Sequence, residues 1–273
     1  MKITLGYSPC PNDSFIFYAL AANKVAKDIA WDIKLLDVEA LNQLAKTNSL
    51  DLSKISYHAY GHFAKDYIML SAGGALGKGV GPLIVSKANL DSLANKTIAI
   101  PGELTTANLL LELSQDSDYK TIVLRYDKIM PAVASGQVDA GLIIHESRFT
   151  FGEYGLKQYI DLGDWWETET GHLLPLGGIM AKRELGHELL SKINTALKES
   201  IAYSYKYRSQ AQPYIAKHAT EMSEEVMQKH IDLYVNDYSV DIGQDGKNAV
   251  KELFARAQSR GLIPKINLPL FLD

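Results

Sequence analysis

The chain is short of several things, and each absence excludes something. Of its 273 residues Cys10 is the lone cysteine, so no internal disulfide can form, which suits a reducing compartment. Neither sign of charge dominates: 28 Lys and Arg stand against 32 Asp and Glu, a formal net charge of -4. That balance argues against a nucleic-acid binder relying on a broad basic surface. No apolar run approaches the roughly 18 residues that span a bilayer. The opening stretch, MKITLGYSPCPND, enters a strand with no apolar leader ahead of it. Together these features predict a cytoplasmic protein without a membrane or nucleic-acid partner, and nothing in them reports an oligomeric state.

What is present is an ordinary globular composition, 47% hydrophobic and 22% charged, in a chain long enough for two lobes. Strands are expected at Ile3–Tyr7, Asp32–Asp37, Leu50–Ile55, Ile68–Ser71 and Leu83–Ser86. A second set is expected at Thr97–Ile100, Thr121–Arg125, Val138–Ile144 and Tyr159–Leu162. Helical segments such as NDSFIFYALAANKV and TTANLLLELSQD lie between them, and such alternation predicts an α/β protein with parallel sheets covered by helices. From about Glu184 the pattern is helical throughout, with breaks expected at Pro213, near Glu221–Ser223 and around Asp241–Gly246.

Residues 41–57 align without gaps on residues 129–145. In each copy a short amphipathic helix leads to an aspartate, Asp51 or Asp139, and then to a buried strand. The match places Tyr57 and His145 at equivalent strand ends. Two Gly/Pro-marked segments, GVGPLIVSKANLDSLANKT and HLLPLGGIMAKRELG, read as crossings between lobes. The expected organisation is a discontinuous larger lobe, 1–86 plus 180–273, and an inserted smaller lobe, 87–179. The cleft between them would take the ligand, because open α/β sheets bind beyond the carboxyl ends of their strands.

Several residues at those ends carry polar chemistry. Thr105 and Thr106 open a helix after a Pro-Gly loop. A threonine there caps the helix, and the same free amides make a site for a ligand carboxylate. In DLSKISYHAYGH, Lys54 and Ser56 share one side of a strand; Lys54 reads slightly better as a surface lysine, Ser56 as a ligand contact. Asn12 follows the first strand and can cap a helix or face the cleft. His58 and His62 are four apart on a helix, but no third metal ligand is evident, so exposed or capping histidines are expected and no metal site is. Cys10 has no neighbour to activate it. Trp165 and Trp166 suit core packing, with ligand stacking the weaker alternative. His145, at the tip of VDAGLIIHES, is either a structural histidine or a base of the right strength for proton transfer, with Glu146, Ser147 or Arg148 to orient it.

SPCPNDSFIFYAL, KISYHAYGH, PGELTTANLLL and GLIIHESRFTF together resemble the 1,4-dihydroxy-6-naphthoate synthase family of the futalosine route to menaquinone. The resemblance covers nearly the whole chain. It implies the two-lobed, type 2 fold of periplasmic substrate-binding proteins. It also implies a carbon–carbon lyase that turns cyclic dehypoxanthine futalosine into 1,4-dihydroxy-6-naphthoate, releasing a small sugar-derived fragment, with no metal or organic cofactor. The family's proton acceptor falls on His145, and its substrate-binding positions on Lys54, Ile55 and Ser56 and on Thr106 and Ala107. Two rival readings share the fold: a solute-binding protein for a small carboxylate, and the related chorismate dehydratase. Formation of a naphthoate chromophore from the cyclic futalosine derivative separates the first rival, and product release from chorismate identifies the second.

Overall fold

The structure is a computed structural model and describes residues 1–219 and 223–272. In chain order its strands are β1 (Lys2–Tyr7), β2 (Ala30–Leu35), β3 (Leu52–Ser56), β4 (Tyr67–Met69), β5 (Ala75–Gly77), β6 (Leu83–Ser86), β7 (Thr97–Ile100), β8 (Lys120–Val123), β9 (Ala140–Ile143), β10 (Lys157–Asp161) and β11 (Leu174–Lys182). They form two sheets. One is ordered β2-β1-β3-β11-β4 with β5 beside β11, the other β10-β6-β9-β7-β8.

β1 pairs in parallel with β2 and β3, and β7 with β8 and β9, as helix-linked strands do. The expectation of wholly parallel sheets fails at the crossings. β11 runs antiparallel to β3, β4 and β5, and β6 runs antiparallel to β9 and β10. The reason lies in how each strand enters. β11 opens beside the carboxyl end of β3, with Gly177 opposite Ser56, and β6 opens beside the carboxyl end of β9, with Leu83 opposite Ile143. A chain arriving from the other sheet starts at the cleft and must run away from it. The crossings accordingly fall before Leu83 and between Thr170 and Leu174. The boundaries expected at 86/87 and 179/180 are displaced from them: β6 joins the second sheet and all of β11 the first.

The helix–strand repeat is visible in its hydrogen bonds. Helix Val38–Lys46 leads to β3 and helix Tyr126–Ser135 to β9. Asp51 Oδ2 accepts from the Thr4 amide at 2.9 Å, and Asp139 Oδ2 accepts from the Thr97 amide at 2.8 Å. Each aspartate thus ties its strand to the parallel neighbour.

In the helical third, Pro213 lies inside helix Arg208–His218 and does not end it. Proline is exposed there, so the carbonyl left over by its missing N–H can turn to water. The chain breaks instead at Tyr207, whose φ of -124° and ψ of 47° are not helical. Apart from Ser223, the break expected over Glu221–Ser223 lies outside the described residues. The last break narrows to Asp241–Ile242, between helices Asp237–Val240 and Gly243–Ser259.

Two large apolar clusters hold these layers. One joins helix Pro11–Ala21 to the C-terminal helices through Phe15, Phe17, Leu197 and Ile201. The other runs between the sheets and includes Tyr57, Leu110, Trp166 and Leu253. Trp166 is fully buried and donates its indole N–H to the Leu173 carbonyl at 2.9 Å, so the core reading of this residue is the right one. Among the described residues no helix is long and apolar enough to cross a membrane.

Candidate active site

A cavity of about 760 Å³, part of it open to solvent, lies between the sheets. Asn12, Lys54, Ile55, Ser56, Thr105, Thr106, Ala107 and His145, the candidates named from the sequence, all line it.

The first sheet's side is organised around Asp13. Pro11 opens helix Pro11–Ala21, which puts Asn12 and Asp13 in its first turn at the end of β1. Ser8 donates its hydroxyl to Asp13 Oδ2 at 2.8 Å, and Asn12 donates its amide to Asp13 Oδ1 at 3.1 Å. Lys54 Nζ lies 3.0 Å from Asp13 Oδ1 and donates to the Gly73 carbonyl at 2.8 Å. Lys54 is therefore not a surface lysine; it is 6% exposed and neutralises a buried carboxylate. Asn12 Oδ1 is buried without a hydrogen-bond partner. Ser56 is held by Asn42, which receives the Ser56 amide at 3.0 Å and donates to its hydroxyl at 3.2 Å.

On the second sheet's side, Thr105 caps helix Thr106–Ser114 by accepting from the Asn108 amide at 3.2 Å. The Thr106 hydroxyl is already used: it donates to the Leu176 carbonyl at 2.6 Å and accepts from the His58 amide at 3.3 Å. Its role is to seam one sheet to the other, which leaves the backbone amides at the helix start for any ligand.

His145 follows β9 in a turn with φ of 58°, a left-handed conformation uncommon for a residue with a Cβ. Its aligned partner behaves differently, since Tyr57 is buried in the core. The His145 ring lies edge-on to Tyr126 at 5.2 Å and 6.1 Å from the ring of His230. Burial pushes its pKa down to about 4, against the opposing pull of Asp13 and Asp37. At neutral pH the imidazole is thus uncharged, the resting form a proton acceptor requires, although burial makes it a weaker base than a free histidine. Arg148 is engaged elsewhere, by Asp161 at 3.2 Å and the Gly81 carbonyl, and so does not orient His145.

His58 is buried, with Nδ1 3.2 Å from the Thr105 carbonyl and Nε2 3.4 Å from His62 Nε2. Among the described residues no group of three or more His, Cys, Asp or Glu side chains could hold a metal ion. His230 and Tyr234 reach the cavity from helix Glu224–Tyr234. Sequence reasoning missed both, along with Asp13, because nothing local distinguishes them. Burial raises the Cys10 thiol well above its ordinary pKa, in keeping with an unreactive residue.

Fold and cleft together define a periplasmic-binding-protein-like chain. The periplasmic aliphatic sulphonate-binding protein of Escherichia coli superposes with a TM-score of 0.66 over 100% of this chain and 94% of its own, at 15% identity, which speaks for the fold alone. A solved protein of Archaeoglobus fulgidus is nearer, with a TM-score of 0.90 and 37% identity over 96% of this chain and 98% of that one. A family model described as menaquinone biosynthesis matches residues 3–259. The 1,4-dihydroxy-6-naphthoate synthase of Thermus thermophilus is 47% identical over 99% of both chains. That of Streptomyces coelicolor is 39% identical over 97% of this chain and 95% of its own. The chain belongs to this menaquinone-biosynthesis family of 1,4-dihydroxy-6-naphthoate synthases, and it is an enzyme.

Proposed function

We propose that the chain converts cyclic dehypoxanthine futalosine to 1,4-dihydroxy-6-naphthoate, with His145 as the general base. One observation carries the reading: an uncharged imidazole and the start of the nine-residue helix Thr106–Ser114 line the same cavity, on a chain closely related to the named synthases. The substrate's aromatic carboxylate is held by the amides of Thr106 and Ala107 and by the positive end of the helix dipole. Asn12, with its unmet carbonyl oxygen, and Ser56, at the end of β3, supply polar contacts from the opposite wall. His145 removes a proton, the electron pair so freed drives cleavage of the carbon–carbon bond to the sugar-derived fragment, and the fragment departs with that bond's pair and takes up a proton as the second ring becomes aromatic. Lys54 neutralises Asp13 and so limits the negative charge facing the substrate carboxylate.

The test is direct. Incubated with cyclic dehypoxanthine futalosine, the protein yields the naphthoate chromophore. His145→Ala lowers turnover by on the order of 10²- to 10⁴-fold, the range of a lost general base, with an unchanged melting temperature. No product from the unaltered protein would overturn the substrate assignment, and near-normal turnover in the variant would remove His145 from the base role.

A further inference from the structure

His230 is left without a task by the mechanism above, yet it occupies the cavity wall. It is 1% exposed, and neither ring nitrogen has a hydrogen-bond partner. The ring packs edge-on against Tyr234 at 4.7 Å and lies 6.1 Å from His145, which sets it at the reacting end of the cavity it lines. Nδ1 is 3.7 Å from Glu146 Oε2, beyond hydrogen-bond reach. A neutral imidazole has one donor and one acceptor, and burying both unmet costs free energy unless something else meets them. In a cavity wall, that something is the ligand.

We propose that His230 is a positioning residue for the substrate, one ring nitrogen hydrogen-bonding a hydroxyl group of the sugar-derived portion beside His145. The assignment rests on the reading of the site given above. Two observations choose a hydroxyl over a second carboxylate. A carboxyl group, that of Glu146, already stands 3.7 Å from Nδ1 on one flank of the ring, which leaves little room for another there. Burial also holds His230 well below its ordinary pKa, so it meets the ligand as a neutral partner that can accept from an O–H. The ligand is then oriented end to end, its carboxylate at Thr106–Ala107 and its hydroxyls at His230. The two ends are held by different parts of the chain, because helix Glu224–Tyr234 packs on helix Pro11–Ala21 and β5 while helix Thr106–Ser114 follows β7 of the other sheet.

Two substitutions separate this role from packing. His230→Phe keeps the aromatic edge against Tyr234 and removes both nitrogens; His230→Gln keeps a donor and an acceptor. With cyclic dehypoxanthine futalosine, kcat/KM of His230→Phe is expected to fall by on the order of 10- to 100-fold, as for one lost hydrogen bond to a buried partner, with an equal or higher melting temperature. His230→Gln is expected to recover most of that loss. Wild-type kcat/KM in His230→Phe would overturn the inference while leaving the synthase reading intact. Loss of activity that follows a fallen melting temperature in both variants would assign His230 to structure and overturn it equally. Failure of the unaltered protein to turn over the substrate would sink the reading itself, and the inference with it.

Discussion

Asp13 receives hydrogen bonds from Ser8, Asn12 and Lys54 at once, in a setting where it is 3% exposed. A buried pair of this kind is costly to form and costlier to split, because removing one partner strands the other charge. Lys54→Met is therefore expected to destabilise the protein by about 3–5 kcal/mol. Combining it with Asp13→Leu should return a large part of that loss, as read from urea denaturation. Wild-type stability in the single variant would show that Lys54 does not neutralise Asp13. At this scale the sequence was informative wherever a residue's role is local. Thr105 as a cap and His145 at a strand tip follow from their neighbours in the chain. Lys54 did not, because its partner is 41 positions away and a strand lysine looks the same with or without it. His230 gave no signal for the same reason, since its importance lies in the wall it joins.

Among elements, the two crossings differ, since Gly171 at the second has open space about it and Gly81 at the first has none. At the first, Gly81 passes so close to Gly163 that a Cβ on Gly81 would sit 2.2 Å from the Gly163 amide nitrogen. Gly163 lies in the first turn of helix Leu162–Thr170, whose cap Asp161 also holds Arg148. Backbone meets backbone there, and neither can rotate away. Gly81→Ala is expected to cost about 1–3 kcal/mol or more, lowering the melting temperature and kcat/KM together. Gly152→Ala, with nothing within 4 Å of the added carbon, serves as the control and should change little. An unaltered melt for Gly81→Ala would mean that the crossing can yield. The strands between helices were legible from their alternation and burial pattern. The direction of β6 and β11 was not, because an apolar run reports that it is buried but not which end of a sheet it enters from.

Across the whole molecule, buried histidines tie stability to acidity. Burial lowers His58 and His145 to about 4 and His230 well below its ordinary value. In the unfolded chain each titrates near 6.5. Between those limits the unfolded chain binds protons that the folded chain refuses, so stability rises with pH across that window. Their full contribution is present above about pH 6.5 and is lost as the pH falls toward 4. Melting temperatures measured from pH 7 down to 4.5 should fall steadily, and His58→Gln should flatten the slope; equal melting at pH 7 and 5 would contradict this.

The cavity wall is assembled from the ends of β1, β3 and β9, the start of helix Thr106–Ser114 and one helix of the C-terminal third. No contiguous piece of the chain carries it. The order of events after synthesis follows from that: secondary structure can form within each sheet and its helices before the two have docked, yet the pocket does not exist until Thr106 has met Leu176 and helix Glu224–Tyr234 has settled against β5. Catalytic competence is in this sense the last property such a chain acquires as it folds, and the first it forfeits when the two halves part.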